Sequence, residues 1–125
     1  MRSTLNSMNI EEYRNFCLGK NGATESFPFS NISNVLVFKV AGKMFTATDV
    51  STFASISVKC QPDLIDELRA TYNAVKLPAY MNKRHWNRIV MDGSVPDKIL
   101  YEWIDNSYSL VVAKLSNHER VKLLH

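Results

Sequence analysis

A short segment near the middle of the chain alternates strictly between apolar and polar residues. In residues 55–60, Ile56, Val58 and Cys60 alternate with two serines and Lys59. This period of two is that of a β-strand with one face buried and the other exposed to solvent. The chain is therefore expected to contain a sheet with one polar face that helices do not cover.

Two further strands precede this segment and are joined by a tight turn. Residues 35–40 and 44–48 have strand character, and the Ala-Gly-Lys sequence at 41–43 supplies the turn between them. The predicted hairpin carries Lys39 and Lys43 near its tip. The remaining segments with strand character are 25–29, which contains a proline and is edge-like, and 87–91.

Two segments in the first 71 residues have the features of helices. Asn9 with Glu12 three residues later forms a capping-box pattern, which predicts a first helix over residues 10–19. Pro62 begins a second helix with an apolar stripe, and this helix is expected to end near Thr71.

A long third helix is predicted in the last part of the chain. Ser94, with Asp97 three residues later, resembles an N-terminal cap, and apolar residues then keep the helical period. The polar residues 105–107 are a point at which this helix could divide into two pieces. A weaker amphipathic pattern continues through 117–125.

The order of elements is helix, several strands, helix, strand, helix, without an internal repeat. We predict an α+β fold of two layers, a twisted antiparallel sheet with helices packed on one face. A single domain over residues 8–125 is expected after a disordered lead at 1–7. The chain has 125 residues, 46% of them apolar, which is enough for one buried core.

Other features narrow the class of protein. No apolar run approaches the roughly 20 residues needed to cross a bilayer, and the first residues lack the apolar core of a signal peptide, so a cytoplasmic protein is expected. Cys17 and Cys60 are far apart and have no metal-ligand spacing, which predicts no disulfide framework and no zinc site. We expect both to be buried, and we predict no metal or other cofactor.

The charge is modest but unevenly distributed. A net charge of +3 does not by itself imply a polyanion partner. No acidic residue occurs between Glu67 and Asp92, however, and five arginines or lysines lie there with His85. This window forms a positive patch only if the fold places its side chains on one surface, and a solvated basic loop is the alternative.

Several motifs resemble a known family. In order, they are "NIEEYRNFCL", "LVFKVAGKMF", "SVKCQPDLIDELR", "YMNKRHWNRIVMDGSVPD" and "IDNSYSLVVAKL". Together they closely resemble the MmcQ/YjbR family of small bacterial proteins, over residues 8 to about 115. The resemblance implies a fold similar to CyaY and frataxin, and DNA binding through a double-wing arrangement of sheet loops.

Carried over position by position, the resemblance points to Asn82, Lys83, His85 and Trp86 of the fourth motif and to Lys59 on the strand before the second helix. Asn82, His85 and Trp86 are interpreted as residues that shape a loop and the start of a strand. An iron-handling role of the frataxin type would need a ridge of carboxylates on the first helix, and the oxygen-ligand density there is too low.

The main functional hypothesis is weak binding of double-stranded DNA without catalysis. The phosphate contacts would come from the following basic residues: Lys39, Lys43, Lys59, Lys83, Arg84 and Arg88. Two alternatives stay open at this point. One is a protein-binding adaptor that uses the open sheet face, and the other is a small enzyme that uses His85 as a base. A monomer is expected, with a dimer left open, and no membrane partner.

Overall fold

The computed structural model describes residues 8–124; the disordered lead expected at 1–7 lies outside them. The described strands form one antiparallel sheet of six strands in the order β1-β2-β3-β4-β6-β5. The strands are β1 (Ala23–Ser26), β2 (Val35–Val40), β3 (Lys43–Asp49), β4 (Ser55–Lys59), β5 (Val75–Lys76) and β6 (Trp86–Val90). The helices are α1 (Ile10–Leu18), α2 (Pro62–Thr71), α3 (Asp97–Ala113) and α4 (Asn117–Leu123).

The helices cover one face of the sheet, as predicted for an α+β fold of two layers. Helix α3 contacts β2, β3 and β4, α2 contacts β5 and β6, and α1 contacts β1. Strand β4 follows the predicted alternation, with Ile56 and Val58 buried beneath the helices and Ser57 and Lys59 on the other face. Cys17 and Cys60 are buried free thiols, which confirms their interpretation as core residues.

A bulge in β3 links the sheet to α3. Phe38 pairs with Thr46 and Lys39 with Met44, so Phe45 has no partner on β2. An extra residue of this kind bends the strand and turns its side chain to a new direction. Phe45 is fully buried against α3, where its ring centroid lies 5.3 Å from that of Tyr108.

Helix α3 is continuous through residues 105–107, so the division considered there is wrong. Ser107 is fully buried and has two partners in the sheet. Its Oγ donates to the Phe45 carbonyl at 2.5 Å and accepts from the Lys59 amide at 2.8 Å. The polar residue in mid-helix therefore satisfies backbone groups that the bulge would otherwise leave without partners.

The start of α3 also differs from the prediction. The N-cap position is occupied by Pro96 and has no side-chain cap, and the helix begins at Asp97. Ser94 instead donates through Oγ to Asp92 Oδ1 at 2.6 Å, in a turn that precedes the helix. The predicted N-terminal cap at Ser94 is therefore wrong, because Ser94 lies in the turn before the helix and Asp97 is the first helical residue.

Loops partly cover the face of the sheet that α1, α2 and α3 leave open. The connection from β1 to β2, residues 27–34, and the connection from β5 to β6, residues 77–85, both contribute to concave surfaces on this face. Their exposed apolar side chains are Phe27, Phe29, Ile32, Leu77 and Tyr80. Within residues 8–124, no helix combines the length and the apolar character needed to span a membrane.

Candidate nucleic-acid interface

Three of the predicted basic residues line one concave surface on the open face of the sheet. Lys39, Lys43 and Lys59 border a groove of about 390 Å³, together with Phe29 and Trp86. We call this surface the lysine groove. Among the described residues that line it, none is acidic. The charged side chains that line the groove are therefore all positive, and the Glu119 carboxylate, which is not part of the lining, interacts electrostatically with Lys43.

The strand register places Lys39 and Lys59 on the open face, whereas Lys43 is paired with Val40, whose buried side chain packs on the helix side, so Lys43 borders the groove from its edge. Lys39 on β2 is paired with Met44, next to Lys43 at the start of β3, and Lys59 ends the neighbouring strand β4. Ala41 and Gly42 form the intervening turn, with φ of 50° and 76°. Two consecutive residues with positive φ are typical of the type I′ turn, whose twist matches that of a hairpin.

Lys59 occupies the partly buried end of the groove. Its Nζ lies 5.7 Å from the centroid of the Trp86 ring, in a cation–π arrangement. Partial burial lowers the pKa of Lys59, and the positive charges of Lys114 and Lys43 lower it further. A bound anion would relieve this repulsion, because it would supply the negative charge that the described groove residues do not.

The other three predicted basic residues lie elsewhere. Lys83 and Arg84 border a separate cleft beside α2, together with Asp66 and Arg69. Arg88 is on the open face, but its Nε donates to the Leu77 carbonyl at 3.3 Å. The structure therefore divides the six predicted contacts into one group of three lysines and three residues at two other places.

The predicted motif residues order the turn that leads into β6. Asn82 Oδ1 accepts from the Arg84 amide at 2.8 Å, and its carbonyl accepts from the amides of His85 and Trp86. The His85 carbonyl in turn accepts from the Cys60 amide at 2.9 Å. These bonds position Trp86 beside the end of β4. A catalytic role of His85 stays one of the alternatives left open.

Arg69 is a residue that the sequence reasoning did not single out. It extends from α2 and donates to Asn87 Oδ1 at 2.7 Å and to the Trp86 carbonyl at 3.0 Å. It also donates to the Lys83 carbonyl. In the sequence, an arginine on an amphipathic helix together with an asparagine, Asn87, inside an apolar strand is the pattern that indicates this contact. Among residues 8–124, no group of three or more His, Cys, Asp or Glu side chains is arranged to hold a metal ion.

Comparison with known proteins agrees with the fold and the motifs. A family model described as YjbR matches residues 18–110. The chain belongs to the YjbR family. It is 33% identical to the uncharacterized protein YjbR of Escherichia coli strain K12 over 118 residues, which cover 94% of this chain and 98% of that protein. It is 30% identical to the uncharacterized protein YyaQ of Bacillus subtilis strain 168 over 101 residues, which cover 80% of this chain and 79% of YyaQ.

Solved structures show the YjbR-family fold in other bacteria. The crystal structure of Deinococcus radiodurans DR2400, described with the family-model domain DUF419, superposes with a TM-score of 0.86 at 31% identity and covers 94% of this chain and 88% of that one. A crystal structure from Pseudomonas syringae has a TM-score of 0.70 at 21% identity, covers 82% of this chain and 98% of that one, and shows the fold alone. The predicted likeness to CyaY and frataxin stays a prediction.

Proposed function

We propose that this YjbR-family protein is a non-enzymatic protein that binds double-stranded DNA weakly, through the phosphates of its backbone, at the lysine groove. The proposal is supported by one observation above the others. Lys39, Lys43 and Lys59 come from three adjacent strands and line one groove in which no described residue is acidic. Lysines that neutralise phosphates release condensed counterions, which is the main source of sequence-independent affinity for DNA.

The position of the helices favours phosphate contacts over base reading. Helices α1, α2 and α3 contact the face of the sheet opposite the groove. A base-reading helix would have to enter the major groove of the duplex, and these three helices are on the wrong side for that. The β2–β3 hairpin, which carries Lys43 beside its turn, is the element that we assign to one wing of the double-wing arrangement.

The experiment compares two double variants that change the net charge equally. Lys39→Gln with Lys43→Gln alters the lysine groove, whereas Lys83→Gln with Arg84→Gln alters the cleft beside α2. In a fluorescence anisotropy titration with a labelled duplex at low salt, the first pair should weaken binding by about tenfold. The second pair should weaken it by about twofold or less, through the general field alone.

Three results would contradict the proposal. The first is the absence of duplex binding by the unaltered protein at low salt. The second is an equal loss of affinity in both double variants, which would remove the groove as the contact surface. The third is tighter binding to a single strand of the same sequence, which would indicate stacking of unpaired bases on exposed rings such as Phe29.

A second candidate function is protein binding at the same face. Phe27 is 54% exposed and Phe29 is 41% exposed on one loop, and Tyr80 is 86% exposed on the other. Exposed apolar and aromatic side chains of this kind are typical of protein interfaces. Light scattering coupled to size exclusion, with a pull-down, would test this candidate. Salt-sensitive co-purification of nucleic acid would favour DNA binding instead.

A further inference from the structure

A second concave region lies on the helix side of the sheet, between α2 and α3. Its floor includes Val58 of β4 and Ile89 of β6, and its walls include Leu64 and Leu68 of α2 and Trp103 of α3. Its volume is about 170 Å³. Apolar protein cavities of about 150 Å³ are large enough to hold benzene. Leu64 is 41% exposed, so the cavity borders solvent at this residue.

The floor of this cavity contains one buried polar side chain, Asn87, which is 1% exposed. Its Oδ1 accepts from Arg69 Nε at 2.7 Å. Because the arginine can only donate, this bond fixes which branch of the amide is oxygen and which is nitrogen. No described residue accepts a hydrogen bond from Asn87 Nδ2. Nδ2 is not among the fully enclosed polar atoms that lack a partner, so it keeps accessible surface at the cavity that Asn87 lines, where a ligand oxygen can accept from it.

The walls of the cavity are held by contacts between the two helical segments. The side-chain amides of Gln61 and Asn106 form two reciprocal hydrogen bonds, of 3.0 and 3.1 Å. Beyond the end of α2, the Tyr72 and Trp103 rings meet edge to face, with centroids 5.1 Å apart. One contact precedes α2 and the other follows it. Helix α2 is therefore tied to α3 at both of its ends, on either side of the cavity.

The charge of the lining limits the chemistry of the ligand. Lys59 is the charged residue among those that line the cavity, and its Nζ lies over the Trp86 ring at the lysine groove. A cationic ligand would find no opposite charge among the described lining residues, and the one lining ammonium, that of Lys59, is directed to the other face of the sheet, so the desolvation of a charged ligand would not be compensated. An uncharged ligand with one acceptor oxygen matches both the apolar walls and the Asn87 donor.

We propose that this cavity binds a small uncharged molecule in which an aromatic or branched aliphatic group carries one carbonyl or hydroxyl oxygen. The apolar group lies against Leu68, Ile89 and Trp103, and the oxygen accepts from Asn87 Nδ2. This site is on the opposite layer from the lysine groove and does not depend on DNA binding.

The test uses acetophenone and ethylbenzene, two probes that share a ring but differ in the ketone oxygen. Nitrogen–proton NMR spectra would follow the Asn87 side-chain amide and the Trp103 indole during titration. Acetophenone should shift both signals saturably in the millimolar range, and ethylbenzene should bind about tenfold more weakly because it offers no acceptor. No saturable shift, or equal affinity for the two probes, would overturn the proposal.

Two variants test the site in separate ways. Asn87→Asp keeps the oxygen that Arg69 binds and replaces the Nδ2 donor by an acceptor, so the preference for acetophenone should disappear. Leu68→Phe fills the cavity, so neither probe should bind. If Asn87→Asp kept the tenfold preference, or a folded Leu68→Phe bound acetophenone with unchanged affinity, the assignment of the cavity would be rejected. Folding of each variant is read from its own spectrum.

Discussion

Arg69 and Asn87 connect helix α2 to strand β6 through a hydrogen bond of 2.7 Å from the guanidinium Nε to the amide Oδ1. The same guanidinium donates to the Trp86 carbonyl at 3.0 Å and to the Lys83 carbonyl. The arginine side chain is 17% exposed. This partly buried cation therefore satisfies carbonyl groups along the turn that leads into β6, and it fixes the path of that turn.

Arg69→Gln should lower the free energy of unfolding by about 3 kcal/mol, because it leaves several acceptors without a charged donor. Arg69→Lys should recover less than half of the loss, since an ammonium group cannot donate in the three directions of the guanidinium. Urea denaturation would measure both. Asp66→Asn is the control: Asp66 is 92% exposed and lies 3.4 Å from Arg69, so its loss should cost about 0.5 kcal/mol or less. A larger cost for Asp66→Asn than for Arg69→Gln would contradict this account.

Ser107→Ala should lower the free energy of unfolding by about 2–3 kcal/mol. The substitution removes partners of the Phe45 carbonyl and the Lys59 amide, and buried backbone groups without partners are costly. Ser109→Ala is the matched control on the same helix, because Ser109 is exposed. It should raise stability slightly, since alanine is the better helix former. Equal thermal midpoints for the two variants would disprove the role assigned to Ser107.

Stability should fall at high pH through Tyr13. Burial raises the pKa of its phenol well above the usual value, nearby Cys17 raises it further, and a hydrogen bond with Thr46 acts in the opposite direction. Thr46 Oγ1 itself donates to the Ser57 carbonyl at 2.7 Å, so the Tyr13 hydroxyl is the donor in its 2.8 Å contact with Thr46. The folded protein thus keeps a proton that the unfolded chain loses.

From about pH 10 upward, the free energy of unfolding should drop by about 1.4 kcal/mol per pH unit for this group. Below that pH both states hold the proton, and the contribution is fully present. Burial also raises the pKa of Cys17, so a second such contribution begins near the usual thiol value of about 8.5. Tyr13→Phe should reduce the alkaline slope by one proton. Urea titrations between neutral pH and pH 11 would measure it, and an unchanged slope would refute the assignment.

The salt dependence of DNA binding should report how many lysines of the groove neutralise phosphates. If Lys39, Lys43 and Lys59 each neutralise one phosphate, the log–log slope of affinity against salt is about −3. Lys39→Gln with Lys43→Gln should reduce its magnitude by about 2, whereas Lys83→Gln with Arg84→Gln should leave it nearly unchanged. Anisotropy titrations at several salt concentrations would separate these outcomes. An equal change of slope in both variants would indicate that the general positive field of the protein, and not the lysine groove, attracts the DNA.

Much of the architecture could be predicted because it depends on short-range patterns. The alternation in β4 and the capping box at Asn9 appear in the structure where the sequence predicts them. Strand β5 was missed because two residues, Val75–Lys76, are too few to show a period. The expected division of α3 was wrong because Ser107 finds buried partners far away in the chain, which a local polar pattern does not reveal.

The candidate site was predictable in part for the same reason. Alternation places Lys39 of β2 and Lys59 of β4 on the open face, and the tight turn brings Lys43 to the edge of the same groove. The path of the loop with Lys83 and Arg84 depends on the Arg69 hydrogen bonds, which join residues 14 to 18 positions apart. Such contacts are set by tertiary packing, and no local pattern predicts them.

The lengths of the outer strands limit how this sheet can grow. Strand β1 has four residues and β5 has two, and these strands form the two edges of the described sheet. Edges this short offer few backbone donors and acceptors to a strand from another molecule. Short edge strands are a common way in which proteins avoid aggregation. Any assembly of this protein should therefore form through side chains on its faces, and fibril growth by edge-to-edge strand addition should be disfavoured.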